Sequence, residues 1–183
     1  MEQNPEKKEV AEMARIVLAA ARTAPKGKGI DDIVTALADR KDMEDIATEM
    51  ERIADEKGDG FQFLKRDAAN VRQADAFITI GVKHAEPLKL NCAACGFATC
   101  ADMKVQKRTE GDYAGPNCTF KNIDLGIAIG SAVAKARDLC IDNRIMYSAG
   151  SAARSLGLIE ADVVLGIPLS VSGKNPFFDR KWP

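Results

Sequence analysis

Four cysteines confined to 27 residues constrain this chain more than any other feature of its sequence. Cys92-Ala93-Ala94-Cys95-Gly96-Phe97-Ala98-Thr99-Cys100 spells C-x2-C-x4-C, and Cys118 follows after a further 17 residues. Three thiolates this close in a tight loop can meet one metal centre, and the fourth arrives from the far side of the loop. Gly96 permits the turn and lets backbone N–H groups face sulfur. The surrounding stretch, 84–118, also carries Pro87, Gly111, Gly115 and Pro116, which punctuate regular structure rather than extend it. It is predicted to be an irregular insert organised by something other than an apolar core. Four thiolates suit a [4Fe–4S] cluster; they also suit structural zinc, and a set of free thiols is the third reading. His84 is the only histidine, eight residues before Cys92. A surface role, or one supporting the metal ligands, fits it better than ligation. A single histidine also leaves no Ser–His–Asp set to argue. The fifth cysteine, Cys140, is expected to be a buried small hydrophobe on the apolar face of a long helix.

The chain has 183 residues, a length that favours one domain spanning 1–183 with the cysteine-rich insert at 84–120 inside it. Acidic residues number 27 and basic residues 26, so the basic surplus of a dedicated nucleic-acid binder is missing. Aromatic residues are only 5%, which argues against a base-stacking surface. The charge is uneven: residues 1–60 hold 15 acids and 10 bases, and the remainder holds 12 acids and 16 bases. No apolar run reaches the length of a membrane helix. The opening Met1-Glu2-Gln3-Asn4-Pro5-Glu6-Lys7-Lys8 is charged, unlike a secretory signal. A cytoplasmic protein is therefore expected, in which cysteines serve metal or redox chemistry before disulfides.

Helical spacing of Val10, Met13, Ala14, Val17, Leu18 and Ala21 predicts a helix over 6–23. Pro25, Gly27 and Gly29 break it. A short helix is expected over 31–39, capped by Asp31 or Asp32, then helices around 43–57 and 61–71. Ala76-Phe77-Ile78-Thr79-Ile80-Gly81-Val82 is apolar and β-branched, which predicts a buried strand. A long helix over 122–143, a strand over 144–148, a short helix over 150–156 and a strand over 161–169 complete the expectation. The predicted class is α+β with helices dominating. Gly126-x3-Gly130 falls inside a helix and is no dinucleotide fingerprint.

The run Asn91 to Ala101 resembles the small [4Fe–4S] domain of corrinoid iron–sulfur proteins, and the similar domain in the B subunit of membrane ferredoxin-oxidising complexes. Their pattern, C-x2-C-G-x3-C and then a distant cysteine preceded by Pro or Gly, is met here by Gly115-Pro116-Asn117-Cys118. That resemblance implies that Cys92, Cys95, Cys100 and Cys118 are the metal ligands. Two further stretches resemble the nitroreductase family of flavoproteins. Ala19 to Pro25 is similar to that family's helix ending in A-x-x-A-P-S. Asp124-Leu125-Gly126-Ile127-Ala128 is similar to its D-x-G-I-A helix start, continuing through Ser155-Leu156-Gly157-Leu158 to Val163–Pro168. The order of all three parts resembles a prokaryotic family of ferredoxin-domain proteins of unknown function.

The resemblance implies a nitroreductase-like α+β fold with helices around a small central sheet, and a homodimer paired through the long helix; the tail residues Phe177, Phe178 and Trp182 are costly to leave in water, so Phe177 or Phe178 is expected at or near the interface. It also implies bound FMN. Arg22, Lys26, Gly27 and Lys28 are the residues that would hold the phosphate, through charge and exposed backbone N–H groups; a plain solvated turn is the other reading. Arg180 and Lys174 are further phosphate candidates, or parts of a charged tail. The function expected is a redox protein passing electrons from a ferredoxin-like donor through a [4Fe–4S] cluster, with FMN or without it. The alternative is a non-enzymatic module, stabilised by zinc or by a cluster, on a degenerate flavoprotein scaffold.

Overall fold

The computed structural model describes residues 1–84 and 86–178. After a 3-10 turn at Pro5–Lys7 comes helix α1, Val10–Thr23, whose buried residues Val10, Ala14, Val17 and Ala21 recur every three or four positions. Strand β1, Ile33–Ala38, lies where a helix over 31–39 is expected. The segment is six residues of Ile, Val, Thr, Leu and Ala, too short for a second helical turn of core contacts. All six pair in antiparallel register with the strand β2, Ala76–Val82, from Ile33 opposite Val82 to Ala38 opposite Phe77. Asp31 therefore caps no helix. Its carboxylate accepts from the Ile33 N–H at 3.1 Å.

Helix α2, Arg40–Lys57, opens with a capping box in which Asp39 and Asp42 satisfy each other's backbone N–H groups. Helix α3, Phe63–Gln73, leads into β2, which is buried along its whole length. The chain then runs through the insert, which contains the single short helix α4, Cys100–Lys104, and re-enters the fold at α5, Thr119–Asp138. Strand β3, Asp142–Asn143, helix α6, Tyr147–Ser155, and strand β4, Val163–Ser170, follow. The strand expected over 144–148 is reduced to one bridge between Met146 and Gly166. From Tyr147 onward the small residues Ser148, Ala149, Gly150, Ala152 and Ala153 instead form a helix that lies flush on β4.

The sheet has the order β1-β2-β4-β3, with each neighbouring pair antiparallel. One face packs on α1 and α5 through Ile78, Ile80, Ile167 and Leu169. The other packs on α2, α3 and α6 through Phe77 and Val164. Alternation along β2 and β4 thus serves two cores, which is why neither strand shows a polar face.

Helix α5 ends earlier than expected, and Cys140 lies beyond it with a left-handed backbone, exposed. The expectation of a buried thiol fails because the helix stops at Asp138, so Cys140 no longer follows the face of Ala132 and Ala136. Phe177 fills the chain's own second core, whereas Phe178 is exposed against the Arg144 guanidinium. Phe177 is therefore not left over for a partner, and Trp182 lies outside the described residues. No helix among the described residues is long and apolar enough to cross a membrane.

Candidate metal centre

The insert is held most firmly at its ends. The His84 N–H donates to Asp162 Oδ2 at 2.7 Å, and Arg108 Nη2 donates to Asp162 Oδ1 at 2.6 Å. The Asp162 main chain joins both sides as well: its N–H donates to the Val82 carbonyl, and its carbonyl accepts from the Ala114 N–H. Further along, Tyr113 donates its hydroxyl to the Val164 carbonyl at 2.9 Å, and Arg154 donates to the Gly111 carbonyl and pairs with Glu110. Lys57 and the Tyr147 hydroxyl converge on Asp112. Burial works against an ionised Asp112, but these two donors outweigh it and hold the carboxyl below its usual range. Burial and the neighbouring carboxylate push the Tyr147 phenol up to about 12.

The three early cysteines ride on a different kind of backbone. Lys89, Asn91, Ala93 and Gly96 all have left-handed φ within eight residues, a coiling that only Gly96 adopts without steric cost. The turn closes with Gly96 N–H donating to the Ala93 carbonyl. Asn91 Oδ1 accepts from the Cys100 N–H at 2.9 Å, and Thr99 and Asp102 cap α4. Cys92 is exposed, Cys95 and Cys100 are half-buried, and Cys118 is buried at the N-cap of α5. Cys95 and Cys118 share one small apolar cluster with Leu88, Phe97 and Met103. Among the described residues, no three Cys, His, Asp or Glu side chains stand grouped as a metal site. The structure thus brings two of the four candidate ligands into one packet and leaves Cys92 and Cys100 at its margin. Chemically the donor set fits a thiolate-bound centre: four thiols on one loop, and the one nearby imidazole turned to another partner. Cys118 also sits at the positive end of a 20-residue helix, which suits a negatively charged ligand sulfur.

That imidazole is His84, 5% exposed and so not a surface residue. Its Nε2 lies 3.0 Å from Asn122 Oδ1, one helical turn past Cys118, and Nδ1 has no partner among the described residues. Burial pushes its pKa down, and Arg108 adds to that against the opposing pull of Asn122 and Asp162. His84, Lys83, Met103, Lys104, Arg108 and Asp162 line a cleft of about 460 Å³ beside the cysteine lobe.

The loop after α1 gathers Arg22, Lys26, Gly27 and Lys28, but the three cationic side chains and the Gly27 N–H already have partners in the chain. Arg22 donates to Asp31 and to the Ile33 carbonyl. Lys26 is buried and caps the end of α1, donating to the carbonyls of Ala21, Arg22 and Ala24. Lys28 donates to the Leu88 carbonyl at 2.8 Å, and the Gly27 N–H donates to Asp124 Oδ1 at 3.0 Å. A Cβ at Gly27 would lie 2.7 Å from a Leu88 methyl. The loop therefore buttresses the insert from below. No helix N-terminus follows it to favour an anion, because β1 stands there. Lys174 is exposed in the tail, and Arg180 lies outside the described residues.

Sequence reasoning missed the Asp162–Arg108 clamp and an ion pair between buried Lys121 and half-buried Asp32, beside Asp124. Asp124 carried a signal, since it opens the D-x-G-I-A stretch. Lys121 carried none, as a lysine three residues past a cysteine reads as solvated. Burial pushes its ammonium pKa down, with Asp124 pulling it back up.

Comparison with known proteins places this geometry. A family model described as "uncharacterized protein containing a ferredoxin domain" (DUF2148) matches residues 114–180. An uncharacterized protein of Archaeoglobus fulgidus is 48% identical over 175 residues, covering 95% of this chain and 94% of that one. Among solved structures, a nitroreductase with bound FMN from Desulfitobacterium hafniense superposes with a TM-score of 0.58 at 13% identity, over 95% of this chain and 80% of that one. The NADPH:FMN oxidoreductase of Vibrio harveyi gives a TM-score of 0.54 at 13% identity, over 94% of this chain. The chain spans only 64% of the length of that enzyme. The fold is nitroreductase-like.

Proposed function

The chain belongs to the DUF2148 family of proteins containing a ferredoxin domain, and from that premise we propose that it is a redox protein in which Cys92, Cys95, Cys100 and Cys118 hold a [4Fe–4S] cluster. The observation that carries this reading is the all-thiol donor set on one loop, with Cys95 and Cys118 already sharing an apolar packet. When bound, the cluster supplies a one-electron couple. Leu88, Phe97 and Met103 exclude water from the Cys95 and Cys118 side. Exposed Cys92 leaves the opposite side open to a partner. Cys92 and Cys100 would have to close on Cys95 and Cys118 to complete the set, an ordering that metal binding would drive. Protein purified without oxygen should be brown and carry about four iron and four sulfide per chain. Colourless protein holding one zinc would overturn the reading.

FMN is the second cofactor proposed, supported by the FMN-binding structures that share the fold. A phosphate at Lys26 and Lys28 would have to displace the carbonyls those ammonium groups now hold. Flavin fluorescence should quench on titration with the protein. Quenching that survives Lys26→Ala/Lys28→Ala would put the flavin elsewhere.

A homodimer through α5 is proposed as well. Phe120, Ile123 and Ile127 form an exposed apolar strip on that helix, Ile123 being 46% exposed. Burying two isoleucines per protomer contributes several kcal/mol. Ile123→Glu/Ile127→Glu should therefore weaken association by roughly two to three powers of ten, read as a monomer by light scattering. Wild-type protein that is monomeric at micromolar concentration would refute it.

A further inference from the structure

We infer that the exposed edge of the cysteine lobe formed by Lys89, Leu90, Lys104, Val105 and Lys107 is a docking surface for a small acidic one-electron carrier protein; this rests on the redox reading above and names its partner. The first observation is charge. Residues 83–108 hold five bases and two acids, in a chain whose first 60 residues carry an acidic excess of five. Lys104 pairs with Glu86 across the surface, and Lys89 and Lys107 have no ion-pair partner among the described residues. All three lysines are exposed.

The second observation is apolar exposure at the same place. Val105 is 81% exposed and Leu90 is 42% exposed, each next to a lysine in sequence. Asn91 accepts from the Cys100 N–H, which sets the Lys89-Leu90 segment beside the start of α4, and Lys104-Val105 forms the other end of that five-residue helix. Apolar side chains flanked by lysines that outnumber the nearby Glu86 and Asp102 are the make-up of a transient interface, in which charge steers the encounter and a small dry centre holds it.

The third observation is position. Cys92, the exposed cysteine, follows Leu90 by two residues, so the patch adjoins the open side of the proposed centre. A thiolate-bound centre is itself negative, and so is an acidic carrier. The lysines offset that repulsion where the two must approach. With a cluster held by the four cysteines, one electron would pass from the reduced carrier to it, the carrier being oxidised by one electron and the cluster reduced by one, with no proton transferred.

The test uses the full-length protein and an acidic bacterial-type ferredoxin as probe, with binding followed by calorimetry at low and high salt. Wild type should bind, and its affinity should fall steeply with salt. Lys104→Glu/Lys107→Glu should weaken binding by about tenfold or more at low salt and flatten the salt dependence. Lys107 is exposed without an ion-pair partner among the described residues and the Lys104–Glu86 pair lies on the surface, so melting should shift by only a few degrees. Val105→Ser should weaken binding at every salt concentration. Absence of wild-type binding, or equal binding by the charge-reversed variant, overturns the proposal. Iron content measured on the same samples separates the two readings. Charge-dependent binding by iron-free protein leaves the docking surface standing and removes the cluster, and iron-replete protein that ignores the probe does the reverse.

Discussion

Cys118→Ala protein, purified without oxygen, should carry essentially no iron or sulfide, and Cys92→Ala, Cys95→Ala and Cys100→Ala should behave alike. The reason is coordination: a [4Fe–4S] cube takes one thiolate per iron corner, and the insert's one imidazole, His84, is turned by its Nε2 to Asn122. Cys118 is the ligand with the least scope for substitution. It is the one ligand fixed to a long helix that runs through the first core, so no other side chain can take its place by a loop adjustment. Cys140→Ala should keep the full complement. It lies beyond the far end of α5, about 30 Å of helix away from Cys118. The variants should still fold, because residues 108–114 are pinned by Asp162, Arg154 and Tyr147 rather than by sulfur. Full iron and sulfide in Cys118→Ala would end the four-cysteine assignment.

The second large effect concerns the scaffold. Gly150→Ala should destabilise the protein by about 3 kcal/mol or more, lowering the midpoint by roughly 6–12 °C. In an ordinary exposed helix the same change stabilises by up to about 1 kcal/mol, so the two expectations differ in sign. What reverses it is the seat of α6 on β4. A methyl group at Gly150 would lie 2.2 Å from the Val164 carbonyl oxygen and 2.6 Å from Leu165 Cα. Both are backbone atoms of a strand paired on each side, so no rotamer change relieves the contact. Gly166 makes the same demand from the strand, where a methyl would strike the Phe77 ring and Ala149. A urea midpoint at the wild-type value would show that α6 can lift without loss.

Where periodicity and burial coincide, the sequence reads directly. Strand β2 falls at the predicted residues because Phe77, Ile78, Ile80 and Val82 serve two cores, leaving an unbroken apolar run. Helix α2 is legible from Met43, Ile46, Met50 and Ile53 at helical spacing. Strand β1 is not, because Asp31 and Asp32 imitate a helix cap while the pairing that makes it a strand comes from β2, with partners 39 to 49 residues away. The same distance hides the candidate site's supports. Arg108 and His84 become a clamp only because Asp162 arrives from the loop before β4. Lys26 looks like a free cation in sequence, and it becomes a cap because α1 ends with carbonyls facing it. The cysteine spacing stands apart from all of this, since C-x2-C-x4-C and the later Cys118, the proposed ligand set, are read from the local sequence whatever the fold does.

The meeting of His84 with Asn122 across the neck of the insert has an evolutionary consequence. A segment that departs and returns at one point is, to the rest of the molecule, a graft: closing it costs an entropy that grows only slowly with its length. Residues could be gained, lost or exchanged between those two side chains while the sheet and its helices kept their packing. A nitroreductase-like framework can in this way acquire a cysteine-rich loop, or shed one, with selection acting on the two at separate rates.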